Sequence, residues 1–168
     1  MTYNPQKETQ NLAPAVTMTL AGLNSLAASA TVGVISERID FTKTKATDYY
    51  FNLKLVYGAG ASSGDKCAYI FFVPWLFDGT NWFPNSQGTT ILPAATAGST
   101  TIAAINSLIL VDVIPHVASA AVNSGFWLSD IMKSMPHGGS IIIINNTGNT
   151  TSASGNCLIY SPTFKILI

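Results

Sequence analysis

Tyr49-Tyr50-Phe51-Asn52-Leu53-Lys54-Leu55-Val56-Tyr57 is the stretch that decides the fold class. Tyr49, Phe51, Leu53, Leu55 and Tyr57 fall on one side of a period of two. Tyr50, Asn52, Lys54 and Val56 fall on the other. Successive side chains of a strand point to opposite faces, whereas a helix would mix these two sets. The stretch therefore predicts a β-strand whose large apolar face packs against a second layer.

Outward from this strand the same signal recurs. Val16, Met18 and Leu20 alternate with Thr17 and Thr19. Residues 32–41 are β-rich. Residues 67–77 are apolar on both faces, as in a central or interface strand, and Pro74 predicts a bulge or an edge position there because it cannot donate to a ladder. A Gly/Ser loop over 58–65 precedes them, and the Asp78-Gly79 turn leads to Trp82 and Phe83. Residues 84–98 read as irregular, 100–114 as one or two strands closed by Pro115, 122–128 and 140–146 as strands. A Thr/Asn/Gly/Ser loop covers 147–155. The chain then ends in strand over 157–160 and 164–168, broken at Pro162. Two single helical turns are expected, one over 23–30 and one over 129–135 that Pro136 and Gly138-Gly139 stop.

About eight strands divided by Gly/Pro/Asn-rich turns, with no long helical pattern, predict an all-β single β-sandwich, jelly-roll-like, over residues 15–168. Residues 1–14, with Pro5 and Pro14 and no apolar periodicity, read as an N-terminal arm. Fully extended it would reach about 46 Å. Its composition builds no core, so its order is expected to come from another chain.

The 168 residues suit one domain with a two-layer core. Only 10% are charged, far below the roughly 25% of ordinary domains, and 18 Thr, 16 Ser and 12 Asn take their place. Eight basic and eight acidic residues cancel. A surface this poor in charge at zero net charge favours association, so a homo-oligomer is expected. No Lys/Arg cluster marks a nucleic-acid or membrane-surface footprint, and no apolar run reaches the length of a bilayer span. The N-terminal residues carry no leader pattern, which predicts a protein that is not exported. Cys67 and Cys157 pair only if their strands are neighbours; free thiols are expected.

The residues for enzyme chemistry are sparse. His116 and His137 each lack a second ligand at metal spacing, and His137 reads as a turn residue. The carboxylates Glu8, Glu37, Asp40, Asp48, Asp65, Asp78, Asp112 and Asp130 are scattered, and most fall at strand ends or in loops. No nucleophile elbow, P-loop or dinucleotide fingerprint is present. The reading is a non-enzyme without cofactor or metal. Trp75, Phe77, Trp82 and Phe83 flank the Asp78-Gly79 turn, and Phe126-Trp127 form a second pair. Such aromatics cap a core, anchor a protein interface or stack on sugar rings. Two sequons, at Asn145 and at Asn149, are what chance provides in an Asn/Thr-rich chain.

Several turns carry a family resemblance. Ser25-Leu26-Ala27-Ala28-Ser29-Ala30-Thr31 runs into a strand ending Ile39-Asp40. Asp48-Tyr49-Tyr50, Asp65-Lys66-Cys67-Ala68-Tyr69 and Asp78-Gly79-Thr80-Asn81-Trp82 follow. Met135-Pro136 precedes a strand closed by Asn145-Asn146-Thr147-Gly148. The set resembles small virion proteins of tailed bacteriophages, such as head decoration or cement proteins. One departure is Gly138-Gly139-Ser140, where that pattern has a Trp-Gly after the proline. The resemblance implies a jelly-roll-like, often trimeric protein of the phage particle, assembled in the host cytoplasm. Its partners would be other copies of itself and the major capsid protein or other virion proteins. The candidate partner-binding residues are Tyr3, Pro5 and Leu12 of the arm, with Trp82, Phe83 and Trp127. The rival expectation is a carbohydrate-binding β-sandwich module of a phage tail or fibre, using Trp82 and Trp127.

Overall fold

The computed structural model describes residues 8–63, 66–84, 98–101 and 108–167. Among them are twelve strands: β1 (Glu8–Leu12), β2 (Val16–Thr17), β3 (Val32–Ile35), β4 (Ile39–Asp40), β5 (Asp48–Val56), β6 (Cys67–Phe77), β7 (Trp82–Pro84), β8 (Gly98–Thr101), β9 (Ile109–Pro115), β10 (Ala121–Trp127), β11 (Gly138–Asn146) and β12 (Cys157–Leu167). One short helix, α1 (Leu128–Ile131), lies where the second helical turn is expected. The strands form two antiparallel sheets. The first runs β1-β12-β5-β10, with β2 also on β12; the second runs β7-β6-β11-β3-β8, with β9 also on β6 and β4 on β11. The all-β sandwich is thus observed, with twelve strands among the described residues against the eight expected.

The alternation over 49–57 survives intact. Tyr49, Phe51, Leu53, Leu55 and Tyr57 are buried, while Tyr50, Asn52, Lys54 and Val56 are only partly covered. The buried set shares one core with Ile70 and Phe72 of β6 and Ile141 and Ile143 of β11, which joins the two sheets. Each such side chain contributes about 1.5–3 kcal/mol by leaving water. The central strands β6 and β11 of the second sheet are largely buried on both faces. The sheet's outer side carries a separate cluster of Ile35, Phe71, Val73, Trp75, Ile142 and Ile144, against which Tyr69, Trp82 and Leu108 pack. That double burial is why residues 67–77 show no alternation.

Two prolines sit where an edge partner changes. On β6, pairing with β9 reaches Phe72 and pairing with β7 starts at Trp75, so Pro74 falls between them. The bulge lies elsewhere, between Ile70 and Phe71. Pro162 does not break the last strand as expected. β12 runs through it, with Pro162 opposite Tyr49 of β5. On its other side β1 ends opposite Thr163 and β2 ends opposite Tyr160. A residue without an N–H loses least at such a junction, while its carbonyl still accepts from Ala13 N at 2.9 Å.

Three further expectations change. Residues 23–30 form no helical turn, because their amides bond across the chain: Ser25 N to Ser152 O, Leu26 N to Thr151 Oγ1 and Ser29 N to Asn145 O. Ser25 adopts a left-handed φ of 60°. Gly138 and Gly139 do not end a helix but open β11, and neither has room for a side chain. A Cβ on Gly139 would lie 2.6 Å from Phe72 Cζ, and one on Gly138 would lie 2.8 Å from Trp82 Cζ3. Part of the predicted arm is ordered within the chain itself, since Glu8–Leu12 pairs along β12. Cys67 and Cys157 are free and lie in different sheets.

Candidate functional site

A cleft of about 760 Å³ among the described residues opens where the edge of the first sheet meets the edge of the second. It is lined by Tyr50, Asp112, Gly125, Trp127, Asp130 and Ile131, with the 109–111 stretch of β9 and Phe126 completing it. Register places its aromatics. Trp127, the last residue of β10, is opposite Tyr50 on β5, on the face turned away from the core. Their rings meet at 4.9 Å and 50°, and both are partly exposed. Gly125 makes room for this pair: a Cβ there would lie 2.9 Å from Tyr50 Cζ and clash with the phenol oxygen. An aromatic lying over a strand glycine is a known way to cover the bare backbone.

The carboxylates are positioned by different means. Buried Asp48, at the start of β5, accepts from Ser129 N at 3.0 Å and from Ser129 Oγ at 2.6 Å. It thereby pins the first turn of α1, whose N-cap Trp127 supplies no side-chain cap, and so positions the adjacent Asp130. Asp112 accepts from Ser124 Oγ across the seam between β9 and β10, and from Val113 N at 2.7 Å. Asp130 is exposed and spends neither oxygen on a described residue. The cleft's lining holds two carboxylates and no cation.

The residues singled out from sequence are dispersed. Tyr3 and Pro5 lie outside the described residues. Leu12 is exposed at the end of edge strand β1. Phe83, on edge strand β7, is exposed opposite equally exposed Leu76 of β6. Trp82, beside it, is spent on its own sheet: the Arg38 guanidinium stacks 4.1 Å from its ring centre and Phe77 stacks at 4.7 Å. Burial pulls the Arg38 pKa down, with Asp40 opposing. Trp82 and Trp127 are in different sheets, so they form no common platform. Sequence reading missed Tyr50, Asp112 and Asp130; the outward phase of Tyr50 in the 49–57 alternation was the available signal.

The histidines are also placed. His137 Nδ1 accepts from Phe77 N at 2.8 Å, a structural bond that ties the β11 approach to the end of β6. His116 packs its ring 4.7 Å from Tyr57. The Tyr57 hydroxyl is buried without a partner among the described residues. Burial, and secondarily Cys67, pushes its pKa up to about 12. Among the described residues no three His, Cys, Asp or Glu side chains come together, and no helix is long and apolar enough to cross a membrane. Comparison with family models, with curated proteins and with solved structures finds no match.

Proposed function

We propose that the protein is a structural component of a virus particle that works by self-association, as a decoration or cement subunit on the head of a bacteriophage. The observation that carries this reading is that five of the nine large exposed apolar side chains among the described residues lie on edge strands. Leu12 and Val16 are on β1 and β2, Phe83 is on β7, and Leu110 and Val113 are on β9. All of these are edge strands, whose free backbone groups are templates for pairing with another chain. Soluble monomers protect such edges with charge. Here 8928 Å² of surface carries sixteen charged side chains, roughly one per 560 Å². Among the described residues there is a single ion pair, between Lys43 and Asp40. Covering these edges with further copies, about 800 Å² per partner, gives specific association without any catalytic group. The phage assignment is supported by the turn motifs described above.

Light scattering on the purified chain tests the self-association, and co-sedimentation with purified phage heads tests the virion role. Wild type is expected as an oligomer, a trimer in particular. Phe83→Lys and Leu110→Lys should shift it toward monomer. A clean 17.8 kDa monomer at high concentration, with no co-sedimentation, would overturn the proposal.

A further inference from the structure

We infer that the cleft between β9, β10 and α1 is a binding site for a neutral, hydroxyl-rich saccharide. Four observations converge on it. Tyr50 and Trp127 present partly exposed rings that pack against each other at 4.9 Å, and the apolar faces of sugar rings pack on such surfaces. The Tyr50 hydroxyl, the Trp127 indole N–H and the Asp130 carboxylate all lack a hydrogen-bond partner among the described residues, so donors and acceptors stand free beside the rings. The pair is built in: Gly125 is bare so that Tyr50 can lie across it, and Asp48 holds α1 so that Asp130 borders the cleft. Finally, the lining residues include two carboxylates and no Lys or Arg, which disfavours an anionic ligand and favours hydroxyl groups that donate to carboxylates.

The site shares Leu110 of β9 with the apolar edges invoked for self-association, but its test residues Trp127 and Asp130 lie outside those edges, so the two readings fail separately. Aromatic–carboxylate sites also take quaternary ammonium groups by cation–π contact. Only two partly exposed rings border the cleft, and at 4.9 Å they touch each other and form one continuous surface with no cage, which suits a flat ring of saccharide more than an ammonium head.

Isothermal titration of the full chain with maltohexaose, cellohexaose, xylohexaose and chitohexaose tests the proposal, with sialyllactose and choline as anionic and cationic probes. Binding of at least one neutral oligosaccharide is expected. Trp127→Ala should weaken it by about tenfold or more, the loss of one aromatic stack. Asp130→Asn, at an exposed position where folding is not at risk, should weaken it by about fivefold. Trp82→Ala should leave it unchanged, and unaltered melting of the Asp130 variant keeps the result interpretable should Trp127→Ala misfold. No heat with any neutral probe, binding only of choline or sialyllactose, or affinity indifferent to Asp130→Asn and Trp127→Ala would overturn the inference.

Discussion

The side-chain amide of Asn145 donates to the carbonyl of Leu26 at 2.9 Å, joining the end of β11 to a loop 119 positions earlier. The same amide donates to Asn149 O at 2.7 Å, and Asn145 Oδ1 accepts from Thr147 Oγ1 at 2.7 Å. Asn145 is fully buried, so its sequon is closed to modification and its polar atoms serve as a bracket. This bracket lets Leu23 and Leu26 enter the core without a helix.

Asn145→Ala should therefore be costly. It removes three buried hydrogen bonds and leaves a small cavity, while Leu26 O keeps Thr151 N and Asn149 O keeps Thr147 Oγ1, which amounts to about 1–3 kcal/mol of lost stability. Asn123→Ala, at an exposed position on β10, should change stability by less than about 0.5 kcal/mol. Urea melts of the two variants check the contrast.

Leu53 and Lys54 are neighbours on opposite faces of β5. Leu53 has no exposed surface and belongs to the core between the sheets, whereas Lys54 is partly exposed. Leu53→Ala should cost about 2–5 kcal/mol through the cavity it leaves, and Lys54→Ala less than about 0.5 kcal/mol. Equal losses in denaturant melts would mean that the register is wrong.

Gly139→Ala should destabilise by about 1–3 kcal/mol, an effect of overpacking. The added methyl meets Phe72 Cζ at 2.6 Å and Phe41 Cζ at 3.0 Å inside the core. Thermal melts check it, with Gly58→Ala, where nothing lies within 4 Å, as the comparison.

Tyr57 sets a limit on alkaline stability. Burial raises its folded pKa from 10.0 to about 12, so between those values the unfolded chain gives up a proton that the folded chain retains. Stability present below pH 10 should be lost progressively as pH rises toward 12. Tyr49 and Tyr160 are shifted in the same direction by burial, so Tyr57→Phe should flatten the decline without abolishing it. At pH 7 the same variant removes a buried hydroxyl that has no partner among the described residues and should stabilise by about 1 kcal/mol. Melts across pH 7 to 12 read both effects.

Sequence by itself determined the class of fold and the faces of its best strand. The period of two over 49–57 is a property of neighbouring residues, and it needs no knowledge of what lies opposite. The unbroken apolar run of 67–77 likewise announced burial on both faces. Tertiary structure decided everything that depends on a partner distant in the chain. Pro162 reads locally as a break, yet it lies within β12 because its missing N–H falls at the junction of β1 and β2. Gly138 and Gly139 read as a stop, yet they are strand residues because Phe72, Phe41 and Trp82 occupy the space a side chain would need. Tyr50 and Trp127 are 77 positions apart and become neighbours only through the β5–β10 register, with Gly125 leaving the room. Local alternation carries the phase of each strand, but the pairing of strands is a non-local choice made by packing.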